Sequence, residues 1–150
     1  MPQSLSNLYI HLIFSTKNRA PLLVKEQRSD LHAYLSTVLA NLNSPTVLIN
    51  SVEDHVHILF KMARTVSLAQ IVEDVKKSSS KWLKTQSPSH ASFAWHAGYG
   101  SFSVSESNVA KVTSYIRDQE QHHRKQTFQD EYLEFLEKNK IQWDERYVWD

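Results

Sequence analysis

Two strand-like runs stand almost end to end in this chain, residues 46–52 and 55–61, with only Glu53 and Asp54 between them. Strands joined by so short a connection fold back on each other as an antiparallel hairpin. The hairpin fixes the centre of the fold, because a strand and a helix precede it and a helix and a strand follow it. Residues 8–16 are rich in β-branched and aromatic side chains and read as a strand buried on both faces. From Glu26 to Leu42, Leu31, Tyr34, Leu35, Val38, Leu39 and Leu42 recur at helical spacing, and Asn43-Ser44-Pro45 ends the helix.

After the hairpin, Ser67 with Gln70 three residues on forms a capping-box pattern that opens a helix running to Lys84. Its apolar side carries Leu68, Ile71, Val72, Val75 and Trp82. A fourth strand is expected from Phe93 to Val104, bent around Gly98-Tyr99-Gly100, then a helix from Glu106 to Lys125 and a last one from Gln129 to Asn139 capped by Thr127. The order β-α-β-β-α-β-α-α predicts an α+β protein: a ferredoxin-like split βαβ, its antiparallel sheet covered by helices on one face, with C-terminal helices added. Residues 1–150 are expected to form a single domain.

Composition narrows the chemistry. Cysteine is absent, which removes disulfides and thiolate zinc sites, and two glycines cannot build a nucleotide-binding phosphate loop. No apolar run reaches membrane-spanning length and no secretion signal opens the chain, so a cytoplasmic protein without a membrane or nucleotide partner is expected. The net charge is +1, unevenly spread: residues 1–126 hold 14 Lys/Arg against 9 Asp/Glu, and residues 127–150 hold 3 against 7. A mildly basic body permits a phosphate-binding surface.

The second strand of the hairpin carries Asp54-His55-Val56-His57-Ile58-Leu59. Alternation along a strand points His55 and His57 the same way, with Cα atoms about 7 Å apart, a platform able to hold one divalent ion. On the expected third helix, Tyr115 and Gln119 are four residues apart and would share a face, with Asn108, Lys111 and His122 extending the stripe. Two imidazoles and a glutamine carbonyl would leave positions on Mg²⁺ or Mn²⁺ for phosphate oxygens, and a tyrosine beside such a cation can attack phosphorus. Each part has a plainer reading as well. Strand histidines are often satisfied core residues, a tyrosine with glutamine at i+4 occurs on many helices, and Tyr99 between glycines competes for the nucleophile's role.

Several stretches resemble the HUH single-tyrosine insertion-sequence transposases, of which the REP-associated tyrosine transposases are relatives. They are Tyr9-Ile10-His11-Leu12-Ile13-Phe14-Ser15-Thr16-Lys17, Asp54-His55-Val56-His57-Ile58-Leu59, the run from Gly98 to Val104, Tyr115-Ile116-Arg117-Asp118-Gln119-Glu120-Gln121-His122-His123, and the ending from Asp144 to Asp150. The resemblance implies a transposase that cleaves and rejoins single-stranded DNA near hairpins. Tyr115 would form a 5′-phosphotyrosine link, and His55, His57 and Gln119 would hold Mg²⁺ or Mn²⁺. It also implies a homodimer with sites shared between subunits.

The DNA contacts are less sharply drawn. Lys77, Lys81 and Lys84 lie opposite the apolar stripe of their helix, where they suit a hairpin stem or an ordinary solvated face equally. Lys17 and Arg19 are further DNA-binding candidates. His11 reads as a buried strand histidine that can face the metal side, and His122 and His123 read as phosphate-binding or exposed residues, not ligands. Two other functions fit the same residues: a non-catalytic or domesticated module that binds hairpin nucleic acid, and a small metal-dependent hydrolase that uses the histidine pair without Tyr115.

Overall fold

The computed structural model describes residues 2–150. Four strands, β1 (Tyr9–Ser15), β2 (Thr46–Ser51), β3 (His55–Lys61) and β4 (Gly100–Val104), form one sheet in the order β2-β3-β1-β4. Every pairing is antiparallel, with β1 and β3 in the middle. That is the arrangement expected of a split βαβ, and the β2–β3 hairpin lies where the two-residue connection places it.

The two central strands have two different faces. Leu12, Phe14, Val56, Ile58 and Phe60 pack under α1 (Lys25–Asn41) and α2 (Leu68–Lys84), against Leu31, Leu35, Leu39, Ile71 and Val75. This is the main core, and the helix periodicities in the sequence serve it directly. The opposite face carries His11, Ile13, His55 and His57 and is covered by the C-terminal part of the chain. There Ile13 and Phe102 meet Phe128 and Leu136 of the last helix. Ser67 caps α2 by accepting from the Gln70 amide, as its sequence pattern implies, although the Gln70 side chain turns to Asp74 instead of back to the cap.

Two expectations are corrected. The fourth strand is confined to Gly100–Val104; before it, Trp95 bridges singly to Thr16. Residues 93–99 run as a loop because Phe93 and Trp95 enter the core, and Lys76 donates to the carbonyls of His96 and Gly98 at 2.7 and 2.8 Å. The third helix is also not continuous. A short 3-10 turn at Glu106–Asn108 leads into α3 (Val109–Arg117), which stops at Asp118 (φ −95°, ψ 24°) before a second short helix, α4 (Gln119–His123), begins. The last helix, α5 (Phe128–Lys138), has Thr127 as its cap, its side chain accepting from the Asp130 amide.

Candidate metal and tyrosine site

The site begins on β3. His55 and His57 are fully buried and project from the face opposite the main core. The register sets Ile13 opposite His57 and Ser15 opposite His55, so β1 supplies the floor beside them. His11 reaches across from β1 to bring its Nε2 within 2.8 Å of His57 Nδ1. His55 Nδ1 lies 2.7 Å from Asp54 Oδ1. Each imidazole of the pair is thus oriented through one ring nitrogen while its Nε2 turns to the interior of the site.

The break at Asp118 brings the next groups in. Asn50, on β2 and paired with His57, donates from Nδ2 to the carbonyls of Ile116 and Arg117 at 2.8 and 3.1 Å. These contacts terminate α3 and let α4 start in a new direction. Gln119 is consequently fully buried, with Oε1 3.4 Å from His55 Nε2 and 2.9 Å from His123 Nε2. Tyr115 and Gln119 do converge, but across a change of helix, not along one helical face. The Tyr115 ring stacks on His122 at 4.6 Å and lies 6.0 Å from the His57 ring.

The residue at the middle of the site is one the sequence reading left unassigned. Glu131 of α5 is 1% exposed. Its Oε1 lies 3.0 Å from His57 Nε2, 3.3 Å from His123 Nε2 and 3.5 Å from His55 Nε2. Its Oε2 accepts from the Tyr115 hydroxyl and from Gln119 Nε2. The ligand-type atoms of His55, His57, His123 and Glu131 all fall within 4.8 Å of one another. This corrects the reading of His123 as an exposed or phosphate-binding residue. A signal for both was present: His123 follows Gln119 at i+4, and Glu131 sits on the apolar side of its helix between Phe128 and Phe135.

Charge follows from burial and these contacts. Burial penalises the charged forms of His57 and His11 and holds both well below the ordinary histidine range, so both rings are neutral. For His55, burial acts in the same direction, but hydrogen bonds to Asp54 and Glu131 outweigh it and the net shift is upward. Burial would raise Glu131, yet contacts with His123, His55 and His57 hold it ionised below the usual carboxylate range. Tyr115 is pushed up by burial and by the Glu131 charge and hydrogen bond, so its hydroxyl keeps its proton. A buried carboxylate among imidazoles, with no Lys or Arg among its partners, fits a divalent cation.

The remaining candidates lie farther out. A cavity of about 270 Å³ opens beside Tyr115, with Asn108, Lys111, Ser103 and Lys138 on its walls. Lys77, Lys81 and Lys84 are exposed on α2, which packs on the other face of the sheet from the histidines. Lys17 and Arg19 occupy a 3-10 turn, Lys17 exposed and Arg19 half-buried with its guanidinium 5.7 Å from the Trp149 ring. Tyr99 stands over the Lys76 ammonium at 5.6 Å. Trp95, donating to Ser79, and Phe102, stacked on Phe135, are core residues. Among the described residues no helix is long and apolar enough to cross a membrane.

Comparison with known proteins agrees with this architecture. Over 117 residues the chain is 26% identical to the ISDra2 transposase TnpA of Deinococcus radiodurans, spanning 75% of this chain and 84% of that one. A crystal structure described as that of a transposase from D. radiodurans R1 superposes with a TM-score of 0.62 at 24% identity, covering 79% of this chain and 98% of that chain. A REP-associated tyrosine transposase bound to a REP hairpin gives the same TM-score at 11% identity, covering 82% and 72%. These two structures share the fold. The family model described as "Transposase IS200 like" matches residues 4–119, from before β1 to the first residue of α4. With that match over most of its length, and with the histidine pair and tyrosine gathered at one place, the chain belongs to the IS200-like family of HUH single-tyrosine transposases.

Proposed function

We propose that this transposase cleaves and rejoins single-stranded DNA by transesterification at Tyr115. The observation that carries the reading is that the Tyr115 hydroxyl and the Nε2 atoms of His55 and His57 meet at the same Glu131 carboxylate. Nucleophile and ligand set therefore share one site. As the Tyr115 hydroxyl gives its proton to Glu131 Oε2, its oxygen attacks the scissile phosphorus, a new O–P bond forms, and the bond to the 3′ oxygen breaks. The electron pair leaves with that oxygen, which takes a proton and becomes a free 3′-hydroxyl. The 5′-phosphate stays on Tyr115 until a 3′-hydroxyl attacks it in the reverse sense, so no energy source beyond the original phosphodiester is needed.

His55 and His57, with Gln119 nearby, would hold a divalent ion of the Mg²⁺ or Mn²⁺ type, whose charge would polarise the phosphate oxygens. Glu131 directs the Tyr115 proton inward and fixes the hydroxyl against the histidine pair. His11 and Asp54 keep the two imidazoles oriented. The cavity beside Tyr115, with Lys111 on its wall, suits the nucleotide flanking the scissile phosphate. The hairpin in a structural relative's complex makes a DNA hairpin the partner to test.

The test is a denaturing gel with labelled single-stranded DNA from the sequences flanking the gene, in Mg²⁺ or Mn²⁺. A covalent protein–DNA adduct is expected, and Tyr115→Phe abolishes it while keeping hairpin binding. Full cleavage by Tyr115→Phe would remove Tyr115 from the mechanism. Tight hairpin binding by wild-type protein with no adduct would favour a binding module of the same fold.

A further inference from the structure

We infer that Glu131 and His123, which lie beyond the segment matched by the family model, are direct ligands of a metal centre with His55 and His57. The centre is a three-imidazole, one-carboxylate site suited to a first-row transition-metal ion, Zn²⁺ most and Mn²⁺ less, in preference to Mg²⁺. The inference deepens the reading of the histidine pair given above and rests on it for the identity of two ligands.

Tautomers carry the argument. Asp54 can only accept, so the 2.7 Å contact places a hydrogen on His55 Nδ1 and leaves Nε2 as the nitrogen that can coordinate. The Gln126 carbonyl likewise can only accept, so His123 Nδ1 carries a hydrogen across 3.0 Å and Nε2 is again the nitrogen turned inward. Both Nε2 atoms face Glu131 Oε1, as does His57 Nε2. A divalent cation among these four atoms, all within 4.8 Å of one another, would displace any Nε2 proton and take three imidazoles and one carboxylate as ligands. A histidine that donates through one nitrogen to a carboxylate or backbone carbonyl and offers the other inward is the usual disposition of a metal ligand.

The spacing agrees. In a five- or six-coordinate set, which keeps positions open for phosphate oxygens, neighbouring donors about 2.1–2.2 Å from the ion stand about 3 Å apart. Glu131 Oε1 stands 3.0, 3.3 and 3.5 Å from the three imidazole nitrogens. Imidazole-rich sets favour Co²⁺ and Zn²⁺ and accept Mn²⁺ more weakly, whereas Mg²⁺ favours all-oxygen surroundings and retains water. The second carboxylate oxygen, held by Tyr115 and Gln119, would then tether the nucleophile to the centre through a single side chain.

The experiment uses the full chain stripped of metal and no DNA. Mn²⁺, Zn²⁺ and Mg²⁺ are each titrated by calorimetry, and Co²⁺ by its visible absorption. Wild-type protein is expected to bind Mn²⁺ or Zn²⁺ at least about tenfold tighter than Mg²⁺, and Glu131→Gln and His123→Asn each to lose about tenfold or more. The Co²⁺ spectrum of each variant should change in shape as well as in affinity. If both variants bind as wild type while Gln119→Ala does not, Glu131 and His123 are not ligands; equal affinity for Mg²⁺ overturns the metal class. Should Glu131→Gln fail to fold, His123→Asn and Glu131→Asp decide the same question. Absence of a DNA adduct in a protein that binds Mn²⁺ as expected would overturn the tyrosine reading and leave the ligand assignment standing.

Discussion

The hydroxyl of Tyr115 donates to the carboxylate of Glu131, sixteen residues later and on a different helix. The contact joins the family-matched segment to the part of the chain that follows it. Glu131 is held in turn by His57, so one side chain registers the tyrosine helix against the floor of the sheet.

Asn50 sets that register from the other side. Replacing it with Ala frees the carbonyls of Ile116 and Arg117 and removes two hydrogen bonds at the end of α3. A loss of about 1–2 kcal/mol of stability is expected. A displaced Tyr115 should lower the single-turnover cleavage rate roughly ten- to a hundredfold at saturating metal. Urea titration and rapid-quench kinetics measure the two effects; an unaltered rate in a destabilised protein would confine Asn50 to a structural role.

One chain brings Tyr115 to its own histidines, so exchange between subunits is not needed to close the site. Mixing inactive Tyr115→Phe with inactive His57→Ala protein should accordingly restore no adduct. Recovery of activity on mixing would show that α3 and α4 cross between subunits of a dimer, the arrangement the family resemblance implies.

Two basic surfaces are candidates for the proposed DNA partner. Lys77, Lys81 and Lys84 lie on the helix layer away from Tyr115, whereas Lys111 borders the cavity next to it. If a hairpin stem runs along α2, changing all three lysines to Ala should reduce the dependence of log affinity on log salt by about three phosphate contacts' worth. Lys111→Ala should instead weaken cleavage of short unpaired strands. Fluorescence anisotropy at several salt concentrations separates the cases, and an unchanged slope in the triple variant would remove α2 from the interface.

Acid should destabilise the fold partly through His32 of α1, which hydrogen-bonds Ser51. Burial, assisted by the Arg28 charge, lowers its pKa from 6.5 to about 4. Between those values the unfolded chain binds a proton that the folded chain does not, so stability falls as pH drops from 6.5 towards 4. His55, shifted upward, works in the opposite sense, which is why the difference from a variant is the informative quantity. His32→Gln can keep a hydrogen bond to Ser51, and its urea midpoint should fall less than that of wild type across this window. Parallel pH profiles would refute the assignment.

The sequence makes some of this molecule plain. The two-residue gap at Glu53-Asp54 dictates the hairpin, the leucines of α1 mark its buried side, and Ser67 and Thr127 announce the starts of α2 and α5. These are local signals, encoded within a few residues of where they act. The break at Asp118 is different. No proline or glycine lies between Val109 and His123, so periodicity reads one helix there, and the interruption involves Asn50, more than sixty residues earlier. Glu131 was hidden for a related reason. Within an acidic stretch a glutamate reads as solvated, and its burial follows only once Phe128 and Leu136 are seen to dock on Ile13 and Phe102. Tyr115, His55, His57 and Gln119 stand in motifs whose spacing is readable without knowledge of packing; the approach of Glu131 and His123 to them, only faintly signalled by i+4 spacing and an apolar helix side, appears in the tertiary structure.

His55 and His57 stand on β3, hydrogen-bonded on both edges, while Tyr115, Gln119 and Glu131 come from short helices resting on that sheet. The two halves of the site should therefore differ in how often they open. Backbone amides of β1 and β3 are expected to exchange with solvent deuterium only through global unfolding, and those of α4 and α5 through cheaper, local excursions. A nucleic acid strand could gain entry during such an excursion while the histidine platform stays intact, which makes the threshold for admitting DNA a property of how firmly α4 and α5 sit on the sheet.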